Sequence, residues 1–495
     1  MGLERQRIDF SRSLLVLAVA LSAVFVALVC YLPTGDDDLW WTLKVGDYIR
    51  AEGDVPRTAL WTIDALRDLP YVCHSWLAAL ALSAVADGFG LDAVMVVPVV
   101  IALLVFACVI WLARELGASW LLSVTVADVV LYPLTLRMSC RAEIFGYLFF
   151  AVSLALIAGY HRTERIRYLA ALVAVALLWV NSHASFVLLL ALLPVVAAGR
   201  SLDAWRRADY RRDAFVASVF SRSTAAITAT WLLVAAVSLA NPYGSDLLRR
   251  ILEPSQAETF TRYIQEWRPL RLTRSLPPVF FAIPLVLIAA VVIGFRKLSW
   301  VSLLGAPLLI ALELRAQRNV TVVAIGAAFV LGELAAGREL GRRARDVVAG
   351  VLVSALLAAN GLAAHSLGFE GRSLTRHPSE LITAQGLEFI RDHVRGNVLN
   401  QYQLGGLLIY FGFPQLRVSI DSRADPYPLE YYQSLRKALY GSGAETRAFV
   451  DRYAIDHIVV LRTTYDQYLR YKLAAIPDFQ LVYEDILVVV MSRAS

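Results

Sequence analysis

The chain has 495 residues, of which 58% are hydrophobic and 18% charged, with a formal net charge of +6. Soluble chains carry about 25% charged and 45–50% apolar residues, so lipid must cover much of this surface, and disorder is excluded. The basic excess sits in short arginine clusters between apolar runs, a pattern that orients membrane segments and gives no nucleic-acid-binding face.

A membrane-crossing helix needs about 20 apolar residues, and about eleven such runs follow one another here. They cover 13–32, 92–113, 119–136, 144–160, 167–181, 184–199, 224–240, 279–295, 299–313, 320–336 and 346–364. Arg5, Arg7 and Arg12 precede the first run, which places the amino terminus in the cytoplasm. No small-x-small cleavage site follows, so the run reads as an anchoring helix and not a removable signal. Alternating sides from there puts the dense basic clusters at 162–167, 200–212, 296–297 and 338–345 with the amino terminus. Counting 71–88 as a span would break that agreement, so it is expected to be a helix lying along the outer surface.

The chain thus divides into a transmembrane part, 1–364, whose first outer loop is 33–91, and a soluble extracytoplasmic part, 365–495. The latter alternates strand-like runs (398–400, 416–421, 457–461, 479–484, 486–491) with helix-like stretches (428–441, 444–453, 465–475), as an α/β domain does. The four cysteines have no metal spacing. Cys30 and Cys108 lie in apolar runs, while Cys73 and Cys140 are open to pairing if both face an oxidising compartment.

Polar groups gather at the outer ends. Asp36, Asp37 and Asp38 directly follow the first run. Adjacent carboxylates at a membrane boundary can hold a divalent cation, with Asp37 and Asp38 as ligands, or act as a base with a raised pKa. As a plain acidic turn they would only cap the helix that begins near Leu39. At the same depth lie Arg137, Arg141 and Glu143, then Asn181 and His183 at the tip of an apolar hairpin. Tyr243 in NPYG, Glu266, Arg315, Arg318 and His74 complete the set. Such groups near bilayer depth usually mark a site or a pathway. Arginines with a carboxylate cluster above an apolar bundle suit a lipid-phosphate substrate. No glycine-rich phosphate loop is visible, which argues against a nucleotide-driven mechanism.

These features resemble the polytopic GT-C glycosyltransferases, in particular polyprenyl-phosphate mannosyltransferase-like membrane proteins and a bacterial branch of them. The acidic triplet after the first helix and the long first loop (GDYIRAEGDVPRTALWT…CHSWLAALAL) carry the resemblance. So do LWVNSHASFVL, NPYG, YIQEWRPL and the tail GNVLNQYQLGGLLIYFG…RVSIDSRADPY. The resemblance implies a GT-C-like helical bundle in the bacterial cytoplasmic membrane. It implies inverting transfer of a sugar from a polyprenyl-phosphate donor to a glycan, lipid or protein acceptor on the outer face. One of Asp36–Asp38 would be the base or a ligand of Mg or Mn, and Arg137, Arg141, Arg315 or Arg318 would bind phosphate. The WWDxG motif of oligosaccharyltransferases is absent, since Trp40 and Trp41 come after the acids. In the tail, Asp421, Arg423 and Asp425 follow a strand, where α/β sheets bind ligands, and are expected to contact the acceptor. Two competing readings are a lipid or polysaccharide flippase, whose charges would lie near mid-bilayer, and a non-catalytic envelope assembly partner, for which the aspartates would be dispensable.

Overall fold

A computed structural model describes residues 2–31, 36–253, 261–271, 278–338, 341–367, 374, 379–423 and 426–494. The first helices are α1 (Gly2–Cys30), α2 (Asp37–Glu52), α3 (Trp76–Phe89), α4 (Val96–Glu115), α5 (Trp120–Thr135) and α6 (Glu143–Thr163). Then come α7 (Arg167–Ser182), α8 (Val187–Arg207), α9 (Arg212–Val219), α10 (Arg222–Val237) and α11 (Ser245–Ile251). The bundle ends with α12 (Val279–Gly294), α13 (Trp300–Arg315), α14 (Val320–Ala335) and α15 (Arg342–Leu367).

Each apolar run of the sequence is a helix. Among the described residues, five segments are long and apolar enough to cross a membrane: Arg12–Cys30, Leu91–Glu115, Glu143–Thr163, Ala184–Arg207 and Gln317–Ala335. The bent pair α9 and α10 makes a sixth if it is one span. Helices α5, α7 and α12 have 16 residues each and reach about 24 Å, less than the ~30 Å of a hydrocarbon core. Helix α14 is buried on every face from Val320 to Val330, so it is the central post of the bundle. Helices α4, α6, α7 and α8 share its apolar core, in which Tyr147 and Trp179 are fully buried.

The C-terminal part holds α16 (Ala384–His393), β1 (Gly396–Asn400), α17 (Tyr402–Gly412), β2 (Leu416–Val418), α18 (Leu429–Tyr440) and α19 (Gly443–Arg452). It continues with β3 (His457–Leu461), a mixed helical stretch over 462–475, β4 (Phe479–Glu484) and β5 (Val488–Arg493). The sheet order is β2-β1-β3-β5-β4, parallel through β2, β1 and β3, and antiparallel from β3 to β5 to β4. Strand β3 and the first residues of β5 are Val-rich and buried, as strands covered on both faces are. The expected strand at 416–421 ends at Val418; beyond it Ile420 O accepts from Asn400 Nδ2 at 2.7 Å, and Ser422 lines the cavity described below.

The sheet domain and the loop segment 36–91 share one core. Ile63 N donates to Val418 O at 2.9 Å and Val418 N to Trp61 O at 3.2 Å, so the loop extends the sheet edge beyond β2. Trp40 of α2 packs on Tyr410 and Phe411 of α17 with ring centroids 5.3 and 5.1 Å away. The stretch expected to be a surface helix is α3, which packs on α2 and α7, burying Ala79 and Leu82. None of the four cysteines forms a disulfide, so the pairing left open for Cys73 and Cys140 is not made: both thiols are buried, and Cys140 is turned toward Val94 O at 3.5 Å.

The close approach of α2 and α17 requires Gly406. A Cβ there would lie 2.5 Å from the carbonyl oxygen of Asp37. Gly406→Ala is therefore expected to cost about 1–3 kcal/mol through overpacking. The melting midpoint tests this; a wild-type value would show that the approach is not tight.

Candidate active site

Segments far apart in sequence converge at one end of the bundle on a cavity of about 500 Å³. Its wall comprises Asp36, Asp37 and Asp38 at the start of α2, Leu136, Arg137 and Arg141 between α5 and α6, and Ile264, Gln265 and Glu266 before α12. Phe280, Gln317 and Arg318 add the bundle side, and Tyr402 and Ser422 come from the sheet domain.

The acidic turn is built by capping. Asp36 has extended backbone geometry (φ −63°, ψ 147°) and its side chain accepts from Asp38 N at 3.0 Å, the usual way to start a helix. Asp38 Oδ1 accepts from Trp41 Nε1 at 3.0 Å. The Asp37 side chain makes no hydrogen bond or ion pair among the described residues, and its residue lines the cavity. Burial raises the Asp37 pKa to about 7, aided by repulsion from Asp36 and Asp38. Burial and Asp36 likewise push Asp38 up to about 6, against the pull of Arg141.

Opposite stand three guanidiniums. Glu143, buried at the first turn of α6, ties two of them: Arg137 Nη2 and Arg318 Nη2 each lie 2.7 Å from its carboxylate. Glu266 adds Arg137 at 2.6 Å and Arg318 at 3.4 Å, and Arg318 stacks 4.5 Å over the Trp267 ring. Burial opposes ionisation of Glu266, but Arg318 and Arg137 outweigh it and hold its carboxyl below the usual range. Arg141 is held differently. Its Nε donates to Ser139 Oγ at 2.9 Å, while its Nη atoms stand 3.4 Å from Asp36, 3.6 Å from Asp38 and 3.7 Å from Glu266. Those distances exceed a good hydrogen bond, so the Nη atoms of Arg141 are held in ion pairs but keep their N–H groups available to an incoming anion.

Other residues singled out in the sequence lie elsewhere. His74 and His183 stack edge to face 5.8 Å apart behind the Glu143–Arg318 pair. Burial first, then Arg318, lowers the His74 pKa to about 4, so that imidazole is neutral near pH 7. Asn181 is a clasp: its amide donates to Leu177 O and Ala240 O and accepts from Trp76 Nε1 at 2.9 Å. Tyr243 donates to Pro56 O at 2.8 Å, tying the NPYG turn to the first loop. Arg315 is exposed and lies outside the cavity wall. Asp421 and Arg423 form a buried bidentate pair at 2.8 and 2.6 Å, with Arg423 between the Trp61 and Tyr71 rings. They fasten the domain to the loop, and the intervening Ser422 faces the cavity. Asp425 lies outside the described residues.

Tyr402 and Ser422 were not named from the sequence, nor were Gln265 and Gln317. Tyr402 follows β1 and Ser422 follows β2, so the strand-end rule points at both. That rule favoured the charged neighbours Asp421 and Arg423, whose charges satisfy each other. Tyr402 donates to Ser422 O at 2.9 Å, and burial, with Asp38 nearby, raises its phenol pKa well above the ordinary value. Among the described residues, no group of three or more His, Cys, Asp or Glu is arranged to hold a metal ion.

No known protein-family profile matches the chain, and no curated protein does. Solved structures do. ArnT from Cupriavidus metallidurans aligns over 96% of this chain and 97% of its own, at 15% identity and a TM-score of 0.47. The oligosaccharyltransferase of Archaeoglobus fulgidus aligns over 91% of this chain and 69% of its own, at 11% identity and a TM-score of 0.59. The second likeness, together with the helical bundle and the small sheet domain, shows that this chain has the GT-C fold.

Proposed function

We propose that the chain is a membrane glycosyltransferase that moves a sugar, with inversion, from a polyprenyl-phosphate-linked donor to an acceptor hydroxyl on the extracytoplasmic face. The observation that carries this reading is the opposition, across one cavity, of an unengaged carboxyl with raised pKa (Asp37) and an arginine whose Nη atoms make only long ion pairs (Arg141). Asp37 accepts the proton of the acceptor hydroxyl as its oxygen bonds to the anomeric carbon. The bond from that carbon to the phosphate oxygen breaks, its electron pair stays with the phosphate, and Arg141 stabilises the growing charge. Glu143 and Glu266 hold Arg137 and Arg318 as the rigid floor beneath it.

Mg and Mn take one or two carboxylates together with substrate phosphate oxygens and water, so the adjacent Asp37 and Asp38 are a suitable donor pair. When bound, such an ion would neutralise phosphate charge. The acceptor, whether glycan, lipid or protein, enters past Tyr402 and Ser422, the contribution of the sheet domain.

The test is incubation of the purified protein with a panel of polyprenyl-phosphate sugars, following donor turnover. Arg141→Ala is expected to weaken donor binding at least tenfold, the worth of a charged hydrogen bond. No turnover of any donor, with wild-type lipid-phosphate affinity in Arg141→Ala, would sink the reading. For orientation, a cysteine replacing exposed Glu430 of α18 should be labelled only from outside the cell. Labelling from the cytoplasm would invert the topology.

A further inference from the structure

The opposite end of the bundle holds a second cavity, of about 440 Å³, between the end of α6, the end of α8 and the start of α10. Helix α6 has 21 residues, so about 30 Å separates the two cavities. The second one is polar and bordered by charge pairs: Arg200 bonds Glu164, and Arg206 Nη2 lies 2.8 Å from Asp203 Oδ1. Three features of its wall remain unsatisfied. Arg207 and Arg222 are exposed and make no hydrogen bond or ion pair among the described residues. Asp203 is 2% exposed; its Oδ1 also accepts from Trp300 N at 3.0 Å, but its Oδ2 has no partner.

Arg207 ends α8 and Arg222 opens α10, where Ser221 caps Thr224 N and the first-turn N–H groups of a 16-residue helix point outward. Beside them α9 presents Val216, Val219 and Phe220, the last 81% exposed, flanked by Arg211 and Arg212. A short helix with exposed apolar residues between arginines lies at a lipid interface. The cavity therefore offers an anion site, a buried carboxylate oxygen and an adjoining apolar face within one reach.

We propose that this second cavity binds the headgroup of an aminophospholipid of the bilayer. The phosphate is held by Arg207, Arg222 and the first turn of α10. The ammonium sits against Asp203 Oδ2, and the acyl chains run along Val216, Val219 and Phe220. The site is independent of the reaction proposed above.

The experiment titrates the purified full chain with dioctanoyl lipids and follows the melting midpoint. Wild type is expected to respond to phosphatidylethanolamine at about tenfold lower concentration than to phosphatidylglycerol, as one charged hydrogen bond to Asp203 requires. Phosphatidylcholine, whose quaternary ammonium has no N–H to donate, should also bind more weakly than phosphatidylethanolamine. The double variant Arg207→Ala, Arg222→Ala should lose at least tenfold for all of these lipids. An unchanged ethanolamine response in that variant overturns the site. Equal stabilisation by inorganic phosphate overturns the lipid assignment, and phosphatidylglycerol or phosphatidylcholine binding as well as phosphatidylethanolamine overturns the role of Asp203. Asp203→Asn should erase the ethanolamine preference. Since Asp203 also anchors Trp300 N, the comparison of wild-type lipid responses decides the point if that variant fails to fold.

Discussion

Asp37→Asn is expected to lower sugar transfer by about 10²- to 10⁴-fold, the range that a positioned general base contributes. Donor binding should persist, because the Arg141 fork and the Glu143–Arg137–Arg318 floor do not touch that side chain. Asp36→Asn and Asp38→Asn act differently: an amide oxygen can still accept from Asp38 N or Trp41 Nε1, but each change removes a charge paired with Arg141, so their losses should be smaller and appear in donor binding. The pH profile separates the roles. The base works when deprotonated, and burial places the Asp37 pKa near 7. Transfer should hold above about pH 7 and fall about tenfold per unit well below it. Asp37→Asn should flatten that limb. A variant retaining half the wild-type rate, with the same pH limb, would exclude Asp37 as base.

Glu143→Gln is the second large effect, and it concerns folding. Glu143 is buried and carries two close guanidinium contacts at 2.7 Å, with Arg141 at 3.9 Å. Removing its charge leaves Arg137 and Arg318 to Glu266 alone. Breaking a buried pair from one side costs about 3–5 kcal/mol, since it strands the opposite charge. The expected result is a lower apparent melting midpoint in detergent and a loss of transfer. Adding Arg137→Gln should restore part of the loss, because the two changes share one network. An unaltered midpoint in Glu143→Gln would mean that water, and not Glu143, compensates the arginines.

Much of the architecture could be read from the amino-acid order because hydrophobic period and arginine placement are local signals. The apolar runs became helices, and the strands and helices of the tail appeared near the expected positions. The site was partly legible for the same reason: carboxylates and arginines at helix ends are conspicuous against apolar neighbours. Asp36–Asp38, Arg137, Arg141, Glu266 and Arg318 do line one cavity. What misled was treating each polar group as available. Asn181, Tyr243 and the Asp421–Arg423 pair are spent on clasps between segments, and such partners lie more than a hundred residues apart in the case of Trp76–Asn181 and Tyr243–Pro56.

By itself, then, the sequence determined a lipid-embedded helical bundle, a sheet-bearing tail and a concentration of charge at one end. Tertiary structure alone decided which charges neutralise one another. Glu143 clamps Arg137 and Arg318 at hydrogen-bond distance, Arg141 is left with longer ion pairs, and the Asp37 carboxyl has no partner among the described residues. It also decided that the tail completes the cavity through Tyr402 and Ser422, because Gly406 lets α17 reach the carbonyl of Asp37. The physical reason is distance: residue type sets what a group can do, but the Coulomb and hydrogen-bond energies that commit it depend on ångström-scale neighbours brought together only by folding.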